Sequence, residues 1–328
     1  MKNYIEVHNG ALVIDGHSDI PLDILYNRNR IPDIVFARNS GDNNTLRAKH
    51  IPVLNKGKVN IIFANLYSEL IPEGSLKQVM LELGDLFQQM DETGTILICS
   101  KKNLEEVLSA GNMGFVLSLE GMEPLGKDLT LLKVFYRLGL RSAMLTWNRR
   151  NYFASGIDDT GGLSKLGREA VIEMEQMGII VDISHLNEEG FWEVIRLAKK
   201  PVIASHSNAR TLYDHPRNLT DAQIKAIVDT GGVIGLNGYF TAETNRASLQ
   251  TYMDHLEYML DLAGEDHVGL GLDFNGYFGA EFEVTPGLED AGKIPDITQE
   301  LVSRGYNEVV VHKLLGKNFL RILETVLE

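Results

Sequence analysis

The sequence predicts a single (β/α)8 barrel, and three observations predict it. Eight short runs rich in Val, Ile and Leu recur along its 328 residues, amphipathic segments separate most of them, and residues of metal-ligand type end several of the runs. Continuous apolar runs are the mark of strands buried on both faces. Alternating strands and helices build a parallel sheet that closes into a barrel, and active sites of such barrels gather at the C-terminal strand ends.

The eight candidate strands are Ala11–Asp15, Val59–Leu66, Gly114–Leu119, Ser142–Thr146, Gly178–Ile183, Pro201–Ala204, Gly232–Leu236 and Val268–Leu272. Helical spacing of apolar residues marks Leu76–Met90 through Val79, Met80, Leu83, Leu86 and Phe87. Lys165–Met177 follows an N-cap candidate, Ser164, and stops before Gly178. Glu188–Ala198 follows Asn187, Asp221–Asp229 follows Thr220 and stops before Gly231, and Leu249–Ala263 precedes the eighth strand. Two stretches exceed the minimal unit. Pro21–Lys58 is long and polar and is expected to cap the barrel mouth as a loop, and Tyr277–Pro295 is a Gly-rich, acidic loop on the same side. No repeat, low-complexity tract or linker interrupts the chain, so residues 1–328 read as one domain.

A formal net charge of -14 argues against nucleic acid, which needs clustered Lys and Arg, and is read as a solubility feature. The one cysteine, Cys99, excludes an intrachain disulfide framework and reads as a small buried hydrophobe. Met1-Lys2-Asn3-Tyr4-Ile5-Glu6 lacks the apolar run of a signal peptide, and no stretch reaches the ~18 apolar residues of a membrane span. The expected location is the cytoplasm, with no membrane partner.

Five residues carry the chemistry. His17 and Asp19 end the first strand, Glu120 the third, His185 the fifth and His206 the sixth. Imidazole and carboxylate are the ligands that zinc and its neighbours favour. In an extended strand residues i and i+2 share a side, so His17 and Asp19 can hold one ion together. A lone His-x-Asp pair arises by chance, and a lone Glu at a strand end can cap a helix. Together the five would need several unrelated excuses for buried charge, which is costly unless paired. One two-metal site accounts for them all, with Glu120 as the carboxylate bridging ions ~3.5–4 Å apart, His17 and Asp19 completing one ion and His185 and His206 the other.

Asp273, in Leu272-Asp273-Phe274, ends the eighth strand and faces the same mouth. It reads as the acid/base, with a sixth metal ligand or an orienter of a histidine as the other readings. Arg217, in the loop after the sixth strand, suits a bidentate pair with a substrate carboxylate or a surface salt bridge. Tyr239, after the seventh strand, suits a hydrogen bond to substrate or wall packing. His50, His215, His255, His267 and His312 have no strand-end partners, and His8 reads as structural.

These motifs resemble the membrane (renal) dipeptidase family, among the amidohydrolase-like metal barrels. The likeness runs over nearly the whole chain. Its anchors are Asp15-Gly16-His17-Ser18-Asp19, Leu119-Glu120-Gly121, Gly162-Leu163-Ser164, Asp182-Ile183-Ser184-His185, Ser205-His206-Ser207, Arg217-Asn218, Gly269-Leu270-Gly271-Leu272-Asp273-Phe274 and Gly287-Leu288-Glu289-Asp290. The resemblance implies a dizinc hydrolase of dipeptides, often tolerant of a D-residue at the C-terminal position. It implies that His17, Asp19, Glu120, His185 and His206 are the ligands, with Glu120 bridging. It further implies that Asp273 is the acid/base and that Arg217 holds the substrate carboxylate. Mammalian members have a histidine after Leu-Thr at the fourth strand end, where this chain has Leu145-Thr146-Trp147-Asn148. Bacterial-type relatives resemble the latter version. Trp147 therefore joins the candidate substrate-facing residues, although it cannot carry a proton. Asn275 stands where a second Asp often follows, and the secretion signal, lipid-anchor tail and extra cysteines of membrane-bound members are absent from this sequence.

The expected reaction is attack by a hydroxide bridging two zinc ions on the carbonyl of a dipeptide, with Asp273 passing the proton to the leaving amine. The same ligands suit a barrel hydrolase of another small amide, and a non-catalytic metal-binding homologue is the alternative from a different class. Oligomeric state is left open, homodimers being common among such barrels.

Overall fold

The computed structural model describes residues 3–28, 41–69, 71, 74–279 and 284–327. Eight parallel strands form the barrel: β1 (Val13–Ser18), β2 (Val59–Leu66), β3 (Gly114–Leu119), β4 (Leu140–Met144), β5 (Ile180–Asp182), β6 (Ile203–Ala204), β7 (Val233–Leu236) and β8 (Val268–Leu270). Each strand bonds to the next in sequence, and β8 returns to β1 to close the ring. A two-residue strand, Ile96–Leu97, lies against the beginning of β3. The predicted strands are all present; β2 and β3 match their expected bounds and the others shift at one or both ends by up to three residues. The largest change is at β1, which begins later than expected and runs on through His17 to Ser18.

Helix starts and stops follow the expected side chains. Ser164 accepts from the Gly167 N–H to open Lys165–Met177, and Gly178 closes that helix in the left-handed region at φ 75°. Asn187 accepts from Gly190 N–H, while Thr220 with Gln223 and Ser248 with Thr251 form reciprocal caps. The expected loop Pro21–Lys58 is a different matter. Where described it holds helix Ile20–Arg28, a π turn at Leu46–His50 and helix Ile51–Lys56. Its residues 29–40 lie outside the described residues, as do residues 280–283 of the second expected loop. That second stretch ends in a 3-10 turn, Ala291–Lys293, and the start of helix Ile294–Ser303. Among the described residues no helix is long and apolar enough to cross a membrane.

Two apolar layers hold the barrel. The outer one lies between strands and helices, with Ile62, Ala64, Leu117 and Val181 on the strand side. The inner one fills the N-terminal half of the barrel with Ile14, Ile61, Phe63, Val116, Ile180, Ile203 and Val233, plugged by Phe319 of the C-terminal helix Asn318–Val326. Ile61 and Phe63 alternate with Ile62 and Ala64, so Asn65 continues the inward series on β2. Val116 does the same on β3, with Ser118 and then Glu120 next in step. On β1 the alternation breaks, because register shifts between Asp15 and Ser18. Strict alternation from Ile14 would carry His17 to the outer face, and the irregularity re-aims it into the mouth.

Gly16 lies where the plug meets the strand. A Cβ there would stand 2.6 Å from Phe319 Cζ and 3.0 Å from the Leu270 carbonyl oxygen. Gly16→Ala is expected to cost about 1–3 kcal/mol through overpacking. The cost should register as a lower urea midpoint at unchanged m-value. An unchanged midpoint would show that the Phe319 plug is loosely seated.

Candidate metal centre

The strand ends bring all five predicted ligand-type residues to one place. His17 lies within β1, Asp19 follows that strand, Glu120 directly follows β3, and His185 and His206 follow β5 and β6. His17 Nε2 stands 3.6 Å from Asp19 Oδ1, 3.8 Å from Glu120 Oε1 and 3.6 Å from Asp273 Oδ1. On the other side, His185 Nε2 is 3.0 Å from the same Glu120 Oε1 and 2.9 Å from His206 Nε2, which is 4.0 Å from Glu120. Two clusters therefore share Glu120. One gathers His17, Asp19 and Asp273, and the other gathers His185 and His206. The division is not absolute, since His17, Glu120 and His206 also fall within one ion's reach of each other.

Each histidine is oriented from behind through Nδ1, by partners that sequence reasoning missed. Asn148 Oδ1 lies 2.7 Å from His185 Nδ1, and Ser205 Oγ 2.8 Å from His206 Nδ1. The Asn65 Nδ2 lies 2.9 Å from His17 Nδ1, and its Oδ1 has no partner among the described residues. With that amide turned over, Oδ1 accepts from Nδ1–H and the Nε2 lone pair is left for the cavity. The signal for Asn65 was present: it is the polar end of the inward series Ile61, Phe63, Asn65. Asp273 is held between two amides, with Asn237 Nδ2 3.2 Å from its Oδ2 and Asn275 Nδ2 3.1 Å from its Oδ1. His185 and Asp273 both sit at positive φ, 69° and 56°, a strained conformation for residues other than glycine.

Arg217 is buried, not on the surface. Its Nη2 lies 3.2 Å from His185 Nε2 and donates to the His206 carbonyl at 3.2 Å. Among the described residues it forms no ion pair with a carboxylate. Above these groups opens a cavity of about 550 Å³. Asp19, Glu120, His185, Arg217 and Asp273 line it, together with Tyr26, Tyr67, Trp147, Tyr239, Phe240 and Phe278. Tyr26 and Phe278 come from the two stretches expected at the mouth. Trp147 meets the Tyr67 ring edge-on at 5.2 Å, and the Tyr239 hydroxyl accepts from Asn275 N–H at 3.2 Å. His215 stacks on Phe240 at 4.5 Å and also lines the cavity. The other histidines have structural partners: His8 bonds Thr298, His50 bonds Asp23, and His255, His267 and His312 bond main-chain carbonyls.

The electrostatics fit a bound cation. Among the described residues His17 Nε2 and Asp19 Oδ1 are buried without a hydrogen-bond partner, and the His185 and His206 Nε2 lone pairs face each other. Such groups are stable together only with positive charge among them. Burial, then Arg217 and His17, hold His185 well below its usual pKa, and burial, then His17 and Arg217, do the same for His206; both are neutral, as ligands must be. Burial, with Asp19 beside it, holds the Glu120 carboxyl well above the usual range. Burial also raises Asp273 to about 6, against the opposing pull of His17. For His17 burial disfavours the imidazolium, but Glu120, Asp19 and Asp273 outweigh it and push the pKa up to about 10. In the metal-free protein, His17 is thus the proton that stands in for a cation.

Over residues 1–328 the chain matches the family model described as membrane dipeptidase (peptidase family M19). It is 35% identical over 248 residues to an uncharacterised protein in the pqqA 5' region of Klebsiella pneumoniae, covering 71% of this chain and 90% of that one. It is 31% identical over 333 residues to the dipeptidase aclJ of Aspergillus oryzae, covering 95% of this chain and 77% of the fungal protein. Among solved structures, a metallo peptidase from Rhodobacter sphaeroides liganded with a phosphinate mimic of the dipeptide L-Ala-D-Ala superposes with a TM-score of 0.84 at 27% identity. That match covers 96% of this chain and 99% of the other.

A metal ion held by His17 at neutral pH would have to displace its proton. Because that pKa lies near 10, affinity is expected to rise with pH and to fall as pH drops from 9 to 6. Calorimetry in two buffers of different ionisation enthalpy should show net proton release. Binding with no proton release and no pH dependence would contradict the charge arrangement.

Proposed function

The chain belongs to the membrane dipeptidase family, whose members are metal-dependent peptide-bond hydrolases, and from that premise we propose that it is a dipeptidase working with two zinc ions and accepting a D-residue at the C-terminal position. The observation that carries this reading is the pair of ligand-type clusters sharing Glu120 on the wall of one cavity of about 550 Å³, a size suited to a small substrate. His17, Asp19 and Glu120 would hold one ion, and Glu120, His185 and His206 the other. When bound, such a pair lowers the pKa of water towards ~7 and polarises a carbonyl oxygen.

The protein's own groups do the rest. Asp273, fixed by Asn237 and Asn275, takes the proton of the attacking water and delivers it to the leaving nitrogen. Hydroxyl thus adds to the carbonyl carbon, the C–N bond breaks, and the amine leaves with the proton. Arg217, buried and without a carboxylate partner among the described residues, holds the carboxylate of the C-terminal residue. Its place beside His185 sets the substrate's direction: C-terminus towards Arg217, scissile bond over Glu120. Tyr26, Tyr67, Trp147 and Phe278 shield the bond from bulk water, and Tyr239 braces the Asp273 loop through Asn275. The L-Ala-D-Ala mimic in the Rhodobacter sphaeroides relative supports the tolerance for a D-residue.

Asn tolerates the left-handed conformation of position 273, so Asp273→Asn should fold and keep its metals. Its turnover on Ala–D-Ala-type dipeptides is expected to fall by about 10²–10⁴. Wild-type protein should cleave those dipeptides and leave N-blocked ones intact. Metal loss in the variant would make Asp273 a ligand instead. Cleavage of N-blocked amides in preference to dipeptides would move the assignment to another small-amide hydrolase.

A further inference from the structure

Two motif aspartates take no part in the reaction above, and they occupy matching places in the barrel. Asp15 opens Asp15-Gly16-His17, and Asp182 opens Asp182-Ile183-Ser184-His185. Both are buried. Each stands at one of the barrel's two thinnest seams. β1 and β8 are in register at a single pair, Asp15 with Leu270, and β5 and β6 at a single pair, Asp182 with Ile203. By contrast β2 and β3 pair over six positions. Beyond these single pairs, among the described residues, no further register pair joins β1 to β8 or β5 to β6 on the way to the mouth, where the ligand-type residues stand.

At both seams the carboxylate does what the ladder no longer does. Asp15 Oδ1 accepts the Leu272 N–H at 2.9 Å from β8's extension and the His17 N–H at 3.4 Å from its own strand. Asp182 Oδ1 accepts the Ser205 N–H at 3.1 Å from the neighbouring strand end and the Ser184 N–H at 3.0 Å from its own. The pattern is the same twice: an N–H two residues ahead, and the N–H of the residue just before a site residue next door. Leu272 precedes Asp273, and Ser205 precedes His206.

We propose that Asp15 and Asp182 are positioning residues, carboxylate clamps that replace the missing backbone ladder at two opened seams. Asp15 sets the spacing of His17 and Asp19 against Asp273, and Asp182 sets that of His185 against His206. The open seams make room for the metal centre, and the clamps stop that room from varying. The inference rests on the two-metal reading above.

The test is titration of chelator-stripped protein with Zn²⁺ alone, on wild type and on the Asp15→Ala, Asp182→Ala, Asp15→Asn and Asp182→Asn variants. Thermal stability is recorded beside it. Loss of a group that orients metal ligands costs about 10–100-fold in affinity, so each alanine variant should lose that much at one of the two sites and leave the other near wild type. The asparagine variants keep an acceptor oxygen in place and should bind close to wild type. Alanine variants with two undisturbed sites would overturn the proposal, as would asparagine variants that bind as weakly as alanine. If an alanine variant does not fold, its asparagine counterpart decides: near wild-type affinity supports the clamp, and a tenfold loss refutes it. Wild-type protein that binds no zinc would refute the two-metal reading itself, an outcome distinct from any result in the variants.

Discussion

Three imidazoles and two carboxylates are buried around one small volume beside the partly buried Asp273, and the rest of the active-site architecture follows from having to keep them there. Ionised carboxylates removed from water are costly unless positive charge lies among them. Arg217 supplies one such charge, but it is turned towards His185 and the His206 carbonyl rather than paired with a carboxylate. His17, pressed on by Glu120, Asp19 and Asp273, supplies a second by holding a proton. Divalent ions do the same work with more charge and with directional bonds, which is why the family's dependence on metal is legible in the electrostatics of the protein alone.

The barrel makes this arrangement affordable by separating its two tasks along one axis. The N-terminal half is an apolar plug of Ile14, Ile61, Phe63, Val116 and Phe319, which anchors the strands. The C-terminal half gives up ladder bonds and regular backbone so that polar groups can converge. The register shift in β1, the single-pair seams at Asp15 and Asp182, and the positive φ of His185 and Asp273 all fall in that half. Irregular backbone of this kind persists only where the surroundings over-determine it. Here the surroundings are short hydrogen bonds to Nδ1 of each histidine and to both oxygens of Asp273.

Much of this could be read from the sequence because it is local. Val and Ile runs located the eight strands, caps such as Ser164, Asn187 and Thr220 located helix starts, and a ligand-type residue after a strand told which end it served. Convergence of His17, Asp19, Glu120, His185 and His206 was legible for the same reason, since a barrel maps strand ends onto one rim. What the sequence hid depends on contacts distant in the chain. That Asn148 supports His185 and Asn65 supports His17 follows from which strands are neighbours. The helix Ile20–Arg28 was read as loop because its polar residues, Asp23 and Asn27, are buried rather than exposed: Asp23 is paired with Lys49 and His50, and Asn27 bonds back to the Asp23 carbonyl. Composition alone could not tell Arg217 from a surface arginine; the family resemblance singled it out, and the fold places it on the cavity wall.

The central claim is that the shared carboxylate Glu120 divides this cluster into two cation sites. Crystals of the zinc-loaded protein, with diffraction recorded on both sides of the zinc absorption edge, test it most directly. The account predicts two anomalous peaks flanking Glu120, one against His17 and Asp19 and one against His185 and His206. A single peak, or a pair of peaks in which Glu120 touches neither ion, would contradict it.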